Sequence, residues 1–500
     1  MLLGVLLSAC SPAEPSPKTT TVPSPGASGS ISPDASGGVT PTAPPIAKAK
    51  WTDCGSGFQC ATIRVPKDYA DLAKGTLQLN MLRLPATDRS QRIGSLLINP
   101  GGPGGSGVDF VRDGASQFPS AIRKRFDLVG FDPRGVNTSS PVRCIDNLDL
   151  AADIDPSPDN QAEIDALVDQ AHQYADQCAK RNADVLPYLS TAAVVDDLDS
   201  MRAAVGDEKL SYFGFSYGTL IGSMYADKYP DKIRAMVLDG ALDPSINEVQ
   251  LRTGQAKAFE AALRRMLAKC SKSKSCPFYE GGKSLKSFDA LMAKIDKKPL
   301  PILRVAGRRK VGPGLAFSAV LGSLYNPASY RSLQLALARA KAGDGRLLVL
   351  LSDPFRGRKP NGSYSNQSDA YFSNTCLDFP VSTNVADYKA LASTFQKVAP
   401  HFRAAAYNDL PCAFWSVPAE RTPAPASGAG APPIVVIGST GDPATPFQWS
   451  RNLAAQLESG TLITRKGEGH TGYFFSNCVR KATDAYLLDL KAPKKDLVCK

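Results

Sequence analysis

Histidine is scarce in this 500-residue chain and occurs only at His172, His401 and His470. No C-x-x-C or H-E-x-x-H motif accompanies these histidines, so the sequence does not indicate a zinc centre, and we expect no metal. Long runs of Lys and Arg are also absent, although these residues exceed Asp and Glu by 58 − 47 = 11. Scattered positive charge of this kind is typical of a basic surface, and we expect no nucleic-acid partner.

No apolar run reaches the ~18–20 residues that a membrane-spanning helix needs, so the body is not expected to cross a bilayer. Apolar residues make up 43% of the chain and charged residues 21%. These fractions are close to those of globular proteins and exclude a disordered, collagen-like or coiled-coil chain.

Residues 1–10 are predicted to be a lipoprotein-type signal segment. The sequence Leu7-Ser8-Ala9-Cys10 resembles the lipobox of bacterial lipoproteins, so Cys10 is the predicted lipidation site and membrane anchor. The segment lacks a charged n-region and a full apolar stretch, so we expect the true start codon to lie upstream. The alternative is a degenerate secretion signal in which Cys10 occurs by chance.

Residues 11–50 are predicted to be a disordered tether. They contain nine Pro, seven Ser and five Thr but no aromatic residue. Such a segment cannot bury enough apolar surface to offset the entropy lost on ordering. We therefore expect it to hold a globular body away from a membrane, outside the cytoplasm.

Cysteine usage points to the same oxidising compartment. Of eleven cysteines, ten remain when Cys10 is set aside, and an even number without metal-site spacing favours disulfides. Ten cysteines allow about 945 pairings, so the pairing of neighbours in sequence order is a hypothesis. The ten residues are Cys54, Cys60, Cys144, Cys178, Cys270, Cys276, Cys376, Cys412, Cys478 and Cys499.

Short apolar runs alternate with helical patterns, which predicts an α/β fold with a mostly parallel central sheet. The alternation lapses after Pro244, through a mainly helical region, and resumes at the apolar run 434–438. We therefore assign residues 51–244 to the first part of an α/β body, 245–411 to a helical cap and 412–500 to the C-terminal part of the body.

The pentapeptide Gly214-Phe215-Ser216-Tyr217-Gly218 lies between an apolar strand and a predicted helix. A G-x-S-x-G motif in this context presents the serine as a nucleophile on a tight turn. Only His470 follows a plausible acid in the chain order of this fold, Ser then Asp then His. We favour Asp442 as that acid and keep Asp239 as the alternative, which is expected to brace loops beside the site.

A glycine-rich loop, Pro100 to Gly107, follows another predicted strand and contains G-x-G-x-x-G. A dinucleotide site is one interpretation of this spacing. Because Pro103 lacks a backbone donor, we favour an oxyanion loop, in which Gly102 supplies one amide N–H and Tyr217 the other.

Six motifs together resemble the actinobacterial tripeptidyl aminopeptidases, which are secreted α/β-hydrolases related to proline iminopeptidases. The resemblance covers about residues 51–499, and its motifs are Asn99 to Gly107, Phe131 to Gly135, Gly214 to Thr219, Val237 to Gly240, Gly441 to Pro446 and Gly469-His470. It implies that Ser216, Asp442 and His470 form a catalytic triad under the helical cap. No cofactor is required for the acyl transfer that this triad implies.

The resemblance further implies peptide substrates with a free amino terminus, released as tripeptides. Recognition of a substrate ammonium needs carboxylates in a partly desolvated pocket. Asp378, beside Cys376, and Glu260, on a predicted helix, are the candidates from the cap. The alternatives are that Asp378 only stabilises its loop and that Glu260 is a solvated helix residue.

Two rival functions remain open at this point. An esterase of the cell envelope, or an endopeptidase-like hydrolase, would use the same triad. A non-catalytic binding lipoprotein on this scaffold would usually lack a triad residue or an oxyanion glycine, and here none is missing.

Overall fold

The wholly apolar segments of the sequence are the central strands of one ten-stranded sheet. The computed structural model describes residues 46–146, 148–149, 154–302 and 310–500. Its strands are β1 (Thr52–Asp53), β2 (Gln59–Pro66), β3 (Thr76–Leu84), β4 (Gly94–Asn99), β5 (Phe126–Phe131), β6 (Leu210–Phe215), β7 (Ile233–Asp239), β8 (Leu300–Pro301), β9 (Lys310–Val311), β10 (Ile434–Gly441), β11 (Gly460–Glu468) and β12 (Leu497–Cys499).

The sheet has the order β1-β2-β3-β5-β4-β6-β7-β10-β11-β12. The first three pairings are antiparallel and the remaining six are parallel. Every residue of β4, β5 and β6 is buried, as expected for parallel strands covered on both faces. The carboxyl ends of β6, β7 and β10 are neighbours, so residues that follow these strands meet at one edge.

The α-helices, in chain order, are α1 (Gly107–Gly114), α2 (Ser120–Arg125), α3 (Gln161–Asn182), α4 (Thr191–Ala204), α5 (Gly218–Lys228), α6 (Glu248–Ser271), α7 (Ser284–Lys297), α8 (Pro313–Leu324), α9 (Tyr330–Lys341), α10 (Arg346–Phe355), α11 (Gln367–Asp378), α12 (Val385–Val398), α13 (Phe447–Gln456) and α14 (Asn477–Asp489). One face of the sheet buries apolar side chains of α4, α5 and α13. The other face buries those of α1, α2 and α14. The sheet is therefore a layer between two layers of helices.

Helices α6 to α10 and α12 share a separate apolar cluster, together with β8 and β9, which pair with each other. This cluster is the core of the predicted cap. Helix α3 precedes the region assigned to the cap, yet Ala171 on this helix is buried in the same cluster. The sequence analysis did not predict α3, and the structure adds it to the cap side of the molecule. Residues 45–500 form one compact unit.

The amino-terminal predictions fall largely outside the described residues. Cys10, the signal segment 1–10 and residues 11–45 of the tether are among the undescribed positions. Residues 46–50 of the predicted tether are described, and the Ala49 N–H donates to the Ala204 carbonyl at 2.8 Å. No helix in the described part of the chain is long and apolar enough to cross a membrane.

Five disulfides join the ten cysteines in sequence order, which is the pairing that we predicted. One disulfide joins the turn after β1 to β2, and another joins α14 to β12. The other three join α3, α6 and α11 to cysteines outside the α-helices. The bonds are Cys54–Cys60, Cys144–Cys178, Cys270–Cys276, Cys376–Cys412 and Cys478–Cys499.

Candidate active site

Ser216 occupies a strained turn between β6 and α5. Its φ of +55° is unusual for a residue with a side chain. The glycines of the motif are required for close packing: a Cβ on Gly214 would lie 2.4 Å from the carbonyl oxygen of Gly218. A Cβ on Gly218 would lie 2.8 Å from the carbonyl oxygen of Asn99. The turn therefore has the form that G-x-S-x-G predicts, and Ser216 lies on the wall of a cavity.

His470 and Asp442 come from the loops after β11 and β10 and form a hydrogen-bonded pair. Nδ1 of His470 lies 2.9 Å from each carboxylate oxygen of Asp442. Backbone N–H groups of Ala444, Thr445 and Thr471 donate to the same carboxylate at 2.9 to 3.0 Å. Three backbone donors and the imidazole thus fix the carboxylate in one orientation.

The other ring nitrogen of His470, Nε2, has no partner among the described residues. Nε2 is buried and makes no hydrogen bond with any of the described residues. Burial lowers the pKa of His470, but the charge and hydrogen bond of Asp442 and the charge of Asp239 outweigh burial, and the pKa is raised above its usual 6.5. His470 and Ser216 line the same cavity, so an uncharged His470 can accept a proton on the free Nε2.

Asp239 has a supporting position rather than a contact with His470. It is fully buried at the end of β7, and its two oxygens accept the N–H groups of Gly472 at 2.7 Å and Tyr473 at 2.8 Å. Burial raises the pKa of Asp239 to about 6. The structure therefore supports the interpretation that Asp239 braces the loop after β11, which carries His470 and which we call the histidine loop.

The cap also contacts the histidine loop directly. The His470 N–H donates to the Tyr325 carbonyl at 2.8 Å, and the two rings meet edge to face with centroids 5.4 Å apart. Gly469 has a φ of +98°, and a Cβ there would lie 2.5 Å from the Pro327 ring. The segment between α8 and α9 therefore limits the movement of His470.

The glycine-rich loop lies beside the turn Gly214 to Gly218, which we call the elbow. A Cβ on Gly101 would lie 2.5 Å from the Phe215 carbonyl oxygen and 2.7 Å from the Tyr217 nitrogen. Gly102 has a φ of +116°, and within the described residues neither its N–H nor that of Tyr217 donates to a protein acceptor. Both residues line the cavity, so two free amide donors flank Ser216, as an oxyanion hole requires.

The later glycines of this loop contact protein backbone, which leaves no support for a dinucleotide site. A Cβ on Gly104 would lie 2.6 Å from the Gln367 carbonyl oxygen. One on Gly107 would lie 2.3 Å from the Phe131 carbonyl oxygen. The G-x-G-x-x-G spacing is explained by the packing of the loop between the sheet and the cap.

A cavity of about 1240 Å³ extends from Ser216 beneath the cap. Body residues at its floor include the elbow, the oxyanion loop, Thr445 and His470. Its walls are rich in aromatic side chains, which are Tyr174, Phe259, Phe317, Tyr325, Phe355, Tyr371, Phe372, Phe379 and Phe402. Helix α3 contributes to this wall through Tyr174.

Neither carboxylate that we predicted for a substrate ammonium lines the cavity. Asp378 is fully buried, and its oxygens are occupied by Thr191 and Tyr217. Glu260 is buried and pairs with His401 and Arg264. Both predictions of a substrate-binding role were therefore wrong, because each carboxylate already has protein partners.

Two side chains of the cavity wall, Arg252 and Tyr371, belong to a charged group that also contains the buried carboxylates of Glu248 and Asp409, which do not line the cavity. We call these four residues the wall cluster. Arg252 makes two hydrogen bonds to Asp409, donates to the Tyr371 hydroxyl at 2.6 Å and has Glu248 at 3.8 Å. Burial and the charge of Asp409 raise the pKa of Glu248 to about 8. Only the i, i+4 spacing of Glu248 and Arg252 could have indicated part of this cluster from the sequence.

The wall cluster adjoins both halves of the active site. Gln255, which accepts from Arg252, donates to the Ala444 carbonyl at 3.0 Å in the loop of Asp442. On the other side, a Cβ on Gly104 of the oxyanion loop would lie 2.9 Å from the Tyr371 nitrogen.

Comparison with known proteins agrees with this geometry. A family model described as TAP-like protein matches residues 399–499, and one described as alpha/beta hydrolase fold matches residues 94–281. The chain is 36% identical to serine protease Hip1 of Mycobacterium tuberculosis over 479 residues, covering 90% of each chain. It is 36% identical to carboxylesterase B of the same species over 457 residues, covering 88% of this chain and 86% of the relative.

The chain is also 31% identical to tripeptidyl aminopeptidase of Streptomyces lividans over 469 residues, covering 90% of this chain and 86% of the relative. These similarities extend over the body and the cap alike. The chain therefore belongs to the tripeptidyl aminopeptidase-like family of α/β-hydrolases and is a serine hydrolase.

Proposed function

We propose that this protein hydrolyses acyl bonds through a covalent intermediate on Ser216, with His470 as general base and Asp442 as its orienting acid. The observation that carries this proposal is the Asp442–His470 pair: Nε2 of His470 has no hydrogen-bond partner among the described residues, and His470 lines the same cavity as the strained Ser216. A nucleophile, a base and a group that orients the base are the parts of a serine triad.

The reaction proceeds in two steps. His470 accepts the proton of Ser216 as the serine oxygen attacks the scissile carbonyl, and the amides of Gly102 and Tyr217 stabilise the oxyanion. His470 then donates the proton to the leaving group, which departs and leaves an ester on Ser216. Water attacks this ester with His470 as base, which releases the acid product and restores the serine.

We further propose that the substrates are peptides with a free amino terminus and that the products are tripeptides. The wall cluster supports this substrate class. When Glu248 is ionised, the cluster holds two carboxylates and one guanidinium, so it lacks one positive charge. Only Arg252 and Tyr371 of the cluster line the cavity, so we expect a substrate ammonium in the cavity to be attracted by this net negative charge without direct contact with either carboxylate. The cavity of about 1240 Å³ has room for several residues.

A digest of a peptide library, analysed by mass spectrometry, tests the tripeptidyl activity. We expect products that are three residues long and that come from the amino end. Acetylation of the substrate amine should lower kcat/KM by ~10²-fold or more, because it removes the positive charge that the wall cluster attracts. Equal rates on free and acetylated peptides would contradict the aminopeptidase assignment.

Two glutamates of α6 provide a matched pair of variants for this test. Glu248→Gln should reduce the discrimination between free and acetylated peptides. Glu260→Gln should leave it unchanged, because Glu260 lies on the same helix but pairs with His401 and Arg264 outside the cavity. Equal effects of the two substitutions would remove the wall cluster from substrate recognition.

A second candidate function is carboxylester hydrolysis in the cell envelope. The aromatic cavity wall favours it, since an apolar acyl chain would bury surface there, and one relative is named carboxylesterase B. Relative kcat/KM on p-nitrophenyl butyrate and on a tripeptide anilide separates the two functions. A preference for the ester by two orders of magnitude would favour the esterase.

We propose an extracytoplasmic location with a lipid anchor at Cys10. Five disulfides in the described residues support an oxidising compartment. Detergent phase partition tests the anchor: the native protein should enter the detergent phase, and Cys10→Ala should move it to the aqueous phase. Aqueous partition of the native protein would contradict the lipid anchor.

A further inference from the structure

The backbone of Tyr217 lies at the active site, whereas its side chain is buried in the interior of the protein. The N–H of Tyr217 is one of the two amides beside Ser216. Its ring is buried with Leu242, Leu251 and Phe379, and its hydroxyl donates to the carboxylate of Asp378. The position of this amide therefore depends on what holds the ring.

Asp378 is the residue that holds the hydroxyl. It is the last residue of α11 in the cap and is fully buried. One of its oxygens accepts the Thr191 N–H at 2.9 Å. The other accepts the Thr191 hydroxyl at 2.7 Å as well as the Tyr217 hydroxyl. The two hydroxyl oxygens also lie 2.9 Å apart, so the three side chains form a closed ring of polar contacts that shares two hydroxyl hydrogens.

This ring joins three parts of the fold. Asp378 belongs to the cap helix α11, Thr191 is the first residue of α4 in the body, and Tyr217 belongs to the elbow. The end of α11 is held in place by Arg421, whose Nε donates to the Asp378 carbonyl at 3.0 Å and whose NH1 donates to the Pro244 carbonyl at 2.9 Å. The carboxylate is thus a fixed acceptor.

The elbow needs such a support because its backbone is strained. Ser216 has a φ of +55°, and a conformation of this kind persists only where surrounding contacts impose it. Oxyanion donors must also be placed within ~0.5 Å of their productive positions. Loss of the contact to Asp378 would allow the Tyr217 peptide to rotate.

We propose that Asp378 is a positioning residue for the oxyanion hole: it fixes the Tyr217 side chain and thereby the Tyr217 amide, and it makes that amide depend on the seating of the cap. This inference rests on the proposed acyl-transfer function. It gives Asp378 a role that differs from the substrate contact expected from the sequence, because its effect does not require an ammonium on the substrate.

The test uses Asp378→Asn and Tyr217→Phe, with p-nitrophenyl butyrate as a substrate that has no ammonium. Each variant should lower kcat ~10- to 100-fold with KM nearly unchanged, because a displaced donor loses part of the ~10²–10³ that one donor contributes. Affinity for a trifluoromethyl ketone, which forms a tetrahedral adduct with an oxyanion, should fall in parallel. The double variant should be no worse than the more affected single variant.

Asp369→Asn is the matched control. Asp369 lies on the same helix, is 2% exposed, and accepts the Tyr174 hydroxyl at 2.6 Å and the Cys144 N–H at 3.1 Å. It therefore has the same kind of contacts without Tyr217. This control should lower the unfolding temperature but leave kcat and ketone affinity close to those of the native protein.

Two results would overturn the proposal. One is a folded Tyr217→Phe variant whose kcat and ketone affinity equal those of the native protein. This variant retains the backbone amide, so it decides the question if Asp378→Asn does not fold. The other is an equal loss of kcat in Asp369→Asn, which would assign the effect to general stability. Fluorophosphonate labelling of Ser216 in the native protein tests the proposed acyl-transfer function without any variant. Successful labelling together with either of these two results would overturn the role of Asp378 but not the proposed function.

Discussion

Both carboxylate oxygens of Asp442 lie 2.9 Å from Nδ1 of His470. The same carboxylate accepts three backbone N–H groups, so it has little freedom to turn away from the ring. Because Nδ1 is bound in this way, the nitrogen left to accept a proton is Nε2. This relationship underlies the first two predictions.

Replacement of Asp442 by Asn should lower kcat by ~10⁴, because an amide can donate to Nδ1 and so stabilise the wrong tautomer. KM should change little, since Asp442 does not contact substrate. Asp239→Asn is the comparison: it should mainly lower the unfolding temperature, because Asp239 accepts the N–H groups of Gly472 and Tyr473. A larger loss of kcat in Asp239→Asn than in Asp442→Asn would contradict the choice of acid.

The pH dependence of hydrolysis should report on His470. Burial lowers the pKa of His470, but the charge and hydrogen bond of Asp442 and the charge of Asp239 together raise it further than burial lowers it. Only the uncharged imidazole can accept the serine proton. For p-nitrophenyl butyrate, kcat/KM should therefore rise with pH through a midpoint above 6.5. In Asp442→Asn, burial acts with less opposition, so the imidazole titration followed by NMR should move to lower pH. An unchanged midpoint would contradict this account.

A side chain at Gly101 should disable the oxyanion loop. The φ of Gly101 is +89°, and a Cβ there would lie 2.5 Å from the Phe215 carbonyl oxygen. Gly101→Ala should shift the loop and lower kcat by ~10²–10³, the cost of one lost donor. Gly312→Ala is the control, since no atom of the described residues lies within 4 Å of a Cβ at that position. Native kcat in folded Gly101→Ala would contradict the assigned oxyanion hole.

The sequence predicted those parts of the molecule that local chemistry determines. β4 and β6 are short apolar runs because both of their faces are covered, and the elbow motif requires small residues that are visible in the sequence. Helix α3 escaped prediction because only four of its residues are buried, which leaves a weak apolar pattern. The strand order, with β5 between β3 and β4, depends on long-range pairing that no local pattern records.

Asp378 and Glu260 were wrongly predicted to bind a substrate ammonium, because their tertiary contacts are also not visible in the sequence. Nearness to Cys376 could not show that Asp378 meets Thr191 and Tyr217, which are 187 and 161 positions away in the sequence. Glu260 meets His401, which is 141 positions away. Whether a carboxylate faces the cavity depends on its tertiary partners, and those partners become known only with the fold.

The disulfides make a prediction for the denatured, unreduced protein. None of the ten cysteines from Cys54 to Cys499 should react with a maleimide, because all are paired. Reduction should lower the unfolding temperature, since native disulfides contribute ~2–5 kcal/mol each in small domains and less in a large body. Two or more reactive thiols among these cysteines would contradict the five-bridge arrangement.

The central claim is that Ser216 is a nucleophile activated by His470 within an acyl-transfer site. Treatment of the native protein with a fluorophosphonate, followed by mass spectrometry of its peptides, tests this claim most directly. The account predicts one phosphonylated residue per chain, at Ser216, together with complete loss of hydrolysis. Ser216→Ala should remain folded, unlabelled and inactive. An unlabelled Ser216 in the native protein, or hydrolysis that persists in folded Ser216→Ala, would contradict the account.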